Sequence, residues 1–294
     1  TILTANGAQV WFEDVLALAR LKVPDPYDLF SRRPEPLAPR ERTWGVRERL
    51  LKDGSVAVPL DPESVRAATR AALAEGADAV VVAFLHAYAD GRHERAARDA
   101  ILEVAPEISV TLSSEVWPVI REYERTVTAT VAGYVQRRVA DYLTALQAAL
   151  ADAGVPATPM IGKSSGGIMS AELGKTDPIS MLLSGTAAGV VGAADIAARI
   201  GAEDVLSFDV GGTSADVAVI RGGEPAFGTG ELVGEFPIHV PTVSVTSIGE
   251  GGGSIASVNA FGVLEVGPES AGSSPGPACY GRGGTRPTVT DAFA

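Results

Sequence analysis

Apolar residues recur at intervals of three and four between residues 120 and 153, at Val127, Val131, Tyr134, Val135, Val139, Tyr142, Leu143, Leu146 and Leu150. That spacing predicts one long helix, which Gly154 terminates. Before it, the pattern alternates between the two periods. An amphipathic helix is expected over residues 12–21, then Pro-rich connections and strands near 42–51 and 55–59. Asp61 caps an Ala-rich helix through Ala74, and residues 78–85 form a short β-branched apolar run that reads as a buried strand. A helix over 92–104 and a strand over 108–112 complete a β-α-β alternation, which argues for an α/β layer structure.

Past the long helix, residues 159–161 predict a short strand leading into Ser164-Ser165-Gly166-Gly167. The composition changes after Pro178, and the domain boundary is placed there, giving residues 1–177 and 178–294. A run of small residues from Ser184 opens a helix through Arg199, suited to close packing against another element. The remainder is rich in glycine and reads as hairpins and loops.

Among those hairpins, residues 206–220 carry the most chemistry. An apolar run ends at Asp209, turns through Gly211, Gly212, Thr213 and Ser214, and returns through Asp216 as an alternating strand. The tip exposes backbone N–H groups with no side chain in the way, an anion nest suited to phosphate oxygens. Asp209 can hold Mg²⁺ through water, since that ion keeps much of its hydration shell. Thr213 and Ser214 can donate to phosphate. The competing reading is a tight turn with a capping Asp. A second cluster, Gly251-Gly252-Gly253-Ser254, follows an expected strand over 242–248. There backbone can approach a ligand closely, with the N–H groups of Gly253 and Ser254 offered to a phosphate or nucleotide.

Length and composition narrow the functional classes. A chain of 294 residues with 46% hydrophobic and 20% charged residues can bury a core, and its length suggests two domains. A formal charge of −12 argues against a nucleic-acid surface. The densest basic runs, Arg32-Arg33 and Arg40-Glu41-Arg42, read as a solvated face. One cysteine, Cys279, precludes an intrachain disulfide and favours a cytoplasmic setting, and no apolar run reaches the ~20 residues of a membrane span. His86, His93 and His239 are scattered, so a histidine metal site is not expected.

Three further features have competing explanations. Cys279 lies in an ordered, non-periodic loop over 268–284 and reads as a buried small residue rather than a nucleophile. Glu115, Arg121, Glu122, Glu124 and Arg125 gather at the start of the long helix, where acids favour the helix dipole. Asp291 ends a strand-like segment, as a second carboxylate near the phosphate turn or as a helix cap.

The residues 207–217, Gly251-Gly252-Gly253-Ser254-Ile255-Ala256, Val266-Gly267-Pro268-Glu269-Ser270-Ala271-Gly272, 275–284 and 287–292 together resemble the hydantoinase A / 5-oxoprolinase family. Phe84-Leu85-His86-Ala87-Tyr88, Ser113-Ser114-Glu115 and Arg121-Glu122-Tyr123-Glu124-Arg125-Thr126 match as well, so the resemblance covers nearly the whole chain. It implies a two-domain, actin-like ATPase fold of the acetate and sugar kinase, Hsp70 and actin type, here truncated at both ends. The implied activity is ATP- and Mg²⁺-dependent hydrolysis of a small cyclic amide, activated by phosphoryl transfer to its carbonyl oxygen. An ATP-dependent ketone carboxylase subunit, or a non-catalytic scaffold needing a partner, are the alternatives. A hydantoinase B-like subunit and an oligomer are the implied partners, with no nucleic acid and no membrane. Asp209 then sits on the second phosphate hairpin, the Gly251 cluster helps hold nucleotide, and Asp291 and Glu122 are candidate catalytic bases.

Three departures accompany the resemblance. The family's first D-x-G-G-T-F-T-D hairpin has no copy before Asp209, and its part beyond Asp291 is missing, which implies weak ATP binding and no turnover by this stretch alone. The usual Q-S-N-G-G reads Lys163-Ser164-Ser165-Gly166-Gly167, and S-G-P-A-A-G reads Ser184-Gly185-Thr186-Ala187-Ala188-Gly189.

Overall fold

The computed structural model describes residues 1–5, 36–233 and 236–294. The helix expected over 12–21 and the Arg32-Arg33 pair lie outside the described residues. The described residues divide into two units. The first comprises Thr1–Ile161, Ile168–Leu182 and Thr229–Val240, and the second comprises Gly162–Gly167, Leu183–Gly228 and Pro241–Ala294. The chain thus makes its main crossing after Leu182, close to Pro178, and each unit also receives short segments that no single cut would assign to it.

The first unit is built on a parallel sheet of β1 (Ile2–Ala5), β2 (Thr43–Val46), β3 (Ala79–Val82) and β4 (Ser109–Leu112), in the order β2-β1-β3-β4. The expected strand over 42–51 is split: its second half, Arg49–Leu50, turns back to pair with Val56–Val58. Val80, Val81 and Val82 are all buried because both faces of the sheet are covered. Val80 and Val82 pack with Val65 and Ala68 of α1 (Pro62–Ala74) and with Ala97 and Ile101 of α2 (Arg92–Val104). Val81 turns the other way, toward Ala129 of α3 (Glu122–Asp152). The Asp61 carboxylate caps α1 by accepting the Glu63 N–H at 3.0 Å, with Pro62 at the first helical position. The hairpin Glu231–Val233/Phe236–Ile238 also belongs here, with Ile238 and Val240 packed against Val127 and Ala132 of α3.

A charged network ties these layers together. Glu94 of α2 is fully buried, and its carboxylate accepts the Phe84 N–H at 2.9 Å, the Ser113 hydroxyl at 2.6 Å and the Ser114 N–H at 2.8 Å. Phe84 follows β3 and Ser113 follows β4, so one carboxylate holds the segments leaving two strands. From the opposite layer, Arg125 of α3 donates to Ser113 Oγ at 3.1 Å, Phe84 O at 2.8 Å and Val119 O at 3.1 Å. Burial pushes the Glu94 carboxyl up and the Arg125 guanidinium down from their ordinary values.

The second unit is a smaller antiparallel sheet. β5 (Val205–Val210) pairs with β6 (Ala215–Arg221), whose other edge carries β7 (Thr246–Ile248). One face, with Val205, Ala218 and Ile220, packs against Ala187 and Val190 of α4 (Ser184–Arg199). The other face carries Leu206, Phe208 and Val210, all exposed. A second hairpin joins β8 (Ser254–Val258) to β9 (Leu264–Ser270). The expected strand over 242–248 is broken, because Thr242–Val243 pairs with Phe227–Gly228 while β7 pairs with β6. The strand-like 288–291 is instead the start of the short helix α5 (Val289–Phe293). Among the described residues, no helix is long and apolar enough to cross a membrane.

Replacing Glu94 by Ala leaves the Phe84 and Ser114 N–H groups and the Ser113 hydroxyl without their acceptor. The expected loss is about 3–5 kcal/mol, since each buried donor left unsatisfied costs about 1–3 kcal/mol. Urea unfolding followed by circular dichroism measures it; a midpoint within error of wild type would mean that the network does not carry the fold.

Candidate functional site

The β5–β6 hairpin forms as the alternation requires, and its turn closes with Gly211 N–H donating to Ser214 O at 2.8 Å. The N–H groups of Gly212, Thr213 and Ser214 have no acceptor among the described residues. A Cβ built on Gly212 would meet nothing within 4 Å, so the tip is open. Neither Gly211 nor Gly212 has a positive φ. Their value at this turn is the space that they leave for backbone donors.

Asp209 and Asp216 stand directly opposite each other on neighbouring strands, and their side chains share a face. Like charges at such positions repel unless something neutralises them. The Asp216 carboxylate is held by hydroxyl donors: Thr186 Oγ1 of α4 reaches its Oδ2 at 3.1 Å, and Ser247 Oγ of β7 reaches its Oδ1. Asp216 therefore pins the start of α4 and the neighbouring strand to the hairpin. The Asp209 carboxylate is exposed and has no partner among the described residues. One exposed carboxylate beside a second suits Mg²⁺, which takes one or two carboxylates and fills its shell with water. Among the described residues no group of three or more His, Cys, Asp or Glu could hold a metal ion.

The second glycine cluster is stitched to this turn. Gly252 N–H donates to Gly211 O at 2.9 Å and Gly253 N–H to Gly212 O at 2.6 Å. Ser254 N–H donates to Gly251 O at 3.0 Å, while Ser254 Oγ accepts the Gly251 N–H at 2.8 Å. The expectation that the Gly253 and Ser254 N–H groups face a phosphate is therefore corrected, because backbone oxygens already occupy both donors. Glycine at 251 is demanded by contact: a Cβ would stand 2.7 Å from Ser214 N and from Thr213 C, and 2.8 Å from Gly211 O. The cluster buttresses the turn from behind.

Asp291 shows the cap geometry. Its carboxylate accepts the Thr288 N–H and hydroxyl, each at 2.8 Å, and Thr288 Oγ1 accepts the Asp291 N–H, forming a capping box at the start of α5. It also accepts the Cys279 N–H at 2.7 Å and the Ala278 N–H at 3.2 Å. The Cys279 N–H above all, with the Thr288 donors, holds its carboxyl far below the usual carboxylate range. Cys279 is exposed, which corrects the expectation of a buried residue, and the adjacent Asp291 carboxylate pushes its thiol up, away from the nucleophilic thiolate. Glu122, the other candidate base, belongs to the first unit, at the start of α3, with Oε1 4.0 Å from Arg125 Nη1. Thr186 escaped notice as a site residue, although the departure S-G-T-A-A-G marked it. A proline there has no hydroxyl to give Asp216.

Known proteins resemble this chain over most of its length. The model of the hydantoinase/oxoprolinase family matches residues 125–294, and that of the hydantoinase/oxoprolinase N-terminal region matches residues 7–105. The acetophenone carboxylase gamma subunit of Aromatoleum aromaticum is 38% identical over 298 residues, covering 99% of this chain and 40% of that protein. The solved ATP-dependent caprolactamase of Pseudomonas jessenii superposes with a TM-score of 0.83 at 32% identity, over 99% of this chain and 42% of that one. A nucleotide-free acetone carboxylase, described in terms of ATP-dependent acetone carboxylation, gives 0.79 at 28% identity with the same two coverages. The chain thus spans about 40% of the length of these relatives. With family models matching most of its length in the right order, the chain belongs to the hydantoinase/oxoprolinase family.

Proposed function

We propose that this chain is the ATP-handling part of an enzyme with an actin-like ATPase fold that opens a small cyclic amide of the hydantoin, 5-oxoproline or lactam type. The observation that carries the reading is the open turn, where three N–H groups and the Asp209 carboxylate beside them have no partner among the described residues. ATP supplies the phosphoryl group that makes the amide carbonyl susceptible to water. The N–H groups of Gly212, Thr213 and Ser214 bind phosphate oxygens, and the Thr213 and Ser214 hydroxyls add donors. Asp209 holds Mg²⁺ through water. Phosphoryl transfer depends mostly on such positioning and charge neutralisation. Asp216 and the Gly251 cluster keep the turn in shape, so little has to reorganise when phosphate arrives.

Ketone carboxylation is the second reading, favoured by the 38% identity to an acetophenone carboxylase subunit. It uses the same turn and differs in what the activated oxygen belongs to. Both readings include a partner, of hydantoinase B type, since several relatives are named as subunits. A scaffold reading without ATP differs from both in a way that binding can measure.

Isothermal titration of Mg-ATP into the full-length protein should give saturable heat, and Asp209→Ala should abolish it without altering the circular dichroism spectrum. Equal affinity in the mutant would remove the phosphate turn from the mechanism, and no heat from wild type would favour the scaffold. Gly251→Ala should push the turn aside and weaken Mg-ATP by at least about tenfold, ~1.4 kcal/mol. Thr186→Val, which keeps the shape but removes the Asp216 donor, should weaken ATP in the same direction and lower the melting temperature. Unchanged binding and melting would show that the tether is dispensable.

A further inference from the structure

The carboxyl edge of the parallel sheet holds groups that the phosphate turn does not use. The chain leaves β1 for β2 on one side and returns to β3 on the other, so its direction reverses between β1 and β3. Open α/β sheets take ligands outside the carboxyl ends of their strands at such a reversal. Two strained residues lie on segments at this edge. His86, four residues past β3, has φ 58°, and Arg121, just before α3, has φ 93°. Non-glycine residues hold such angles only where their surroundings enforce them, and they collect at ligand-handling positions.

The strain brings two chemical groups together. His86 N–H donates to Glu122 Oε1 at 3.4 Å, and His86 Nδ1 stands 3.9 Å from the same oxygen. Nδ1 is shielded from solvent and has no hydrogen-bond partner among the described residues. Nε2 has no hydrogen bond among the described residues, and 33% of the side chain remains open. The imidazole thus turns one nitrogen toward a carboxylate and leaves the other accessible. The remaining groups around the pair are Tyr88, edge-on to the imidazole at 6.0 Å, and Arg125, over the Tyr88 ring at 5.8 Å and 4.0 Å from Glu122. The Arg121 side chain is exposed, and Glu94 lies behind Arg125 through Ser113.

We infer that His86 is a proton-transfer residue, positioned by Glu122, for a small polar molecule that presents an N–H or O–H at this edge. The Nε2 lone pair takes the proton, the ligand's N–H or O–H bond breaks, and its electron pair stays on the ligand. The resulting imidazolium directs Nδ1–H at the Glu122 carboxylate, and the proton returns from Nε2 to the ligand, which restores the neutral imidazole. Only the choice of a cyclic amide as that molecule rests on the function proposed above.

The test uses the full-length protein in its native complex, with 5-oxoproline and caprolactam as probes in the presence of Mg-ATP. His86→Asn tolerates the left-handed backbone and should lower kcat by about 100-fold or more, with Mg-ATP affinity unchanged. His86→Gln, less suited to that backbone, should lose activity equally if chemistry rather than strain is at stake. Glu122→Gln should reduce kcat less, with KM and Mg-ATP affinity unchanged. A kcat for His86→Asn within about threefold of wild type would overturn the inference and leave the ATP reading standing. If wild type turns over neither probe, the cyclic-amide reading fails and the rate of carbethoxylation of His86, read by mass spectrometry, decides. A rate changed in Glu122→Gln supports the pair, and an identical rate overturns it.

Discussion

Glu94 and Arg125 come from helices on opposite faces of a parallel sheet and meet through one serine hydroxyl. Each is too buried to be solvated, so each survives only by saturating its hydrogen bonds. The acceptors and donors that they take are backbone groups of the segments that follow the strands, Phe84 and Ser114 for Glu94, Phe84 and Val119 for Arg125. The carboxyl edge of the sheet is thereby fixed by charge rather than by apolar packing. Everything presented there, including the loop that carries His86, takes its direction from this pair.

The second unit solves a different problem with the opposite economy. A turn meant to receive anions must keep its donors unpaired, and unpaired backbone is mobile unless something else holds it. Here the holding is done by carbonyl groups: Gly211 and Gly212 offer N–H or open space at the tip and give their oxygens to Gly252 and Gly253 behind it. Asp216 adds a polar tether to α4 and β7, while Asp209 across from it stays unpaired among the described residues. The two carboxylates are close in chemistry and in register, yet one is structural and one is available.

Local signals account for what the sequence made legible. The bounds of α1 follow from its Asp61 cap, those of α2 and α4 from residue pattern alone, and the β5–β6 hairpin from its alternation around Gly-Gly-Thr-Ser. What stayed hidden depends on partners distant in the chain. Whether Gly253 N–H is free is decided by Gly212, and whether Asp216 is a ligand or a tether by Thr186, 30 residues away. Likewise, His86 and Glu122, 36 residues apart, meet only because β3 and α3 pack in one unit. The strand-like pattern at 288–291 keeps one bridge, from Thr288 to Ile255, and then turns helical because a capping box at Thr288 satisfies the backbone locally.

The stitching of the two glycine clusters also makes the turn a terminus of a longer relay. Gly252 O accepts both the N–H and the hydroxyl of Thr290, and Gly253 O accepts the Ala271 N–H. Next to Thr290, Asp291 grips the backbone at Ala278 and Cys279. One unbroken series of hydrogen bonds therefore runs from Gly211 and Gly212 to the exposed loop that carries Cys279. That single thiol offers a place to attach a reporter outside the turn.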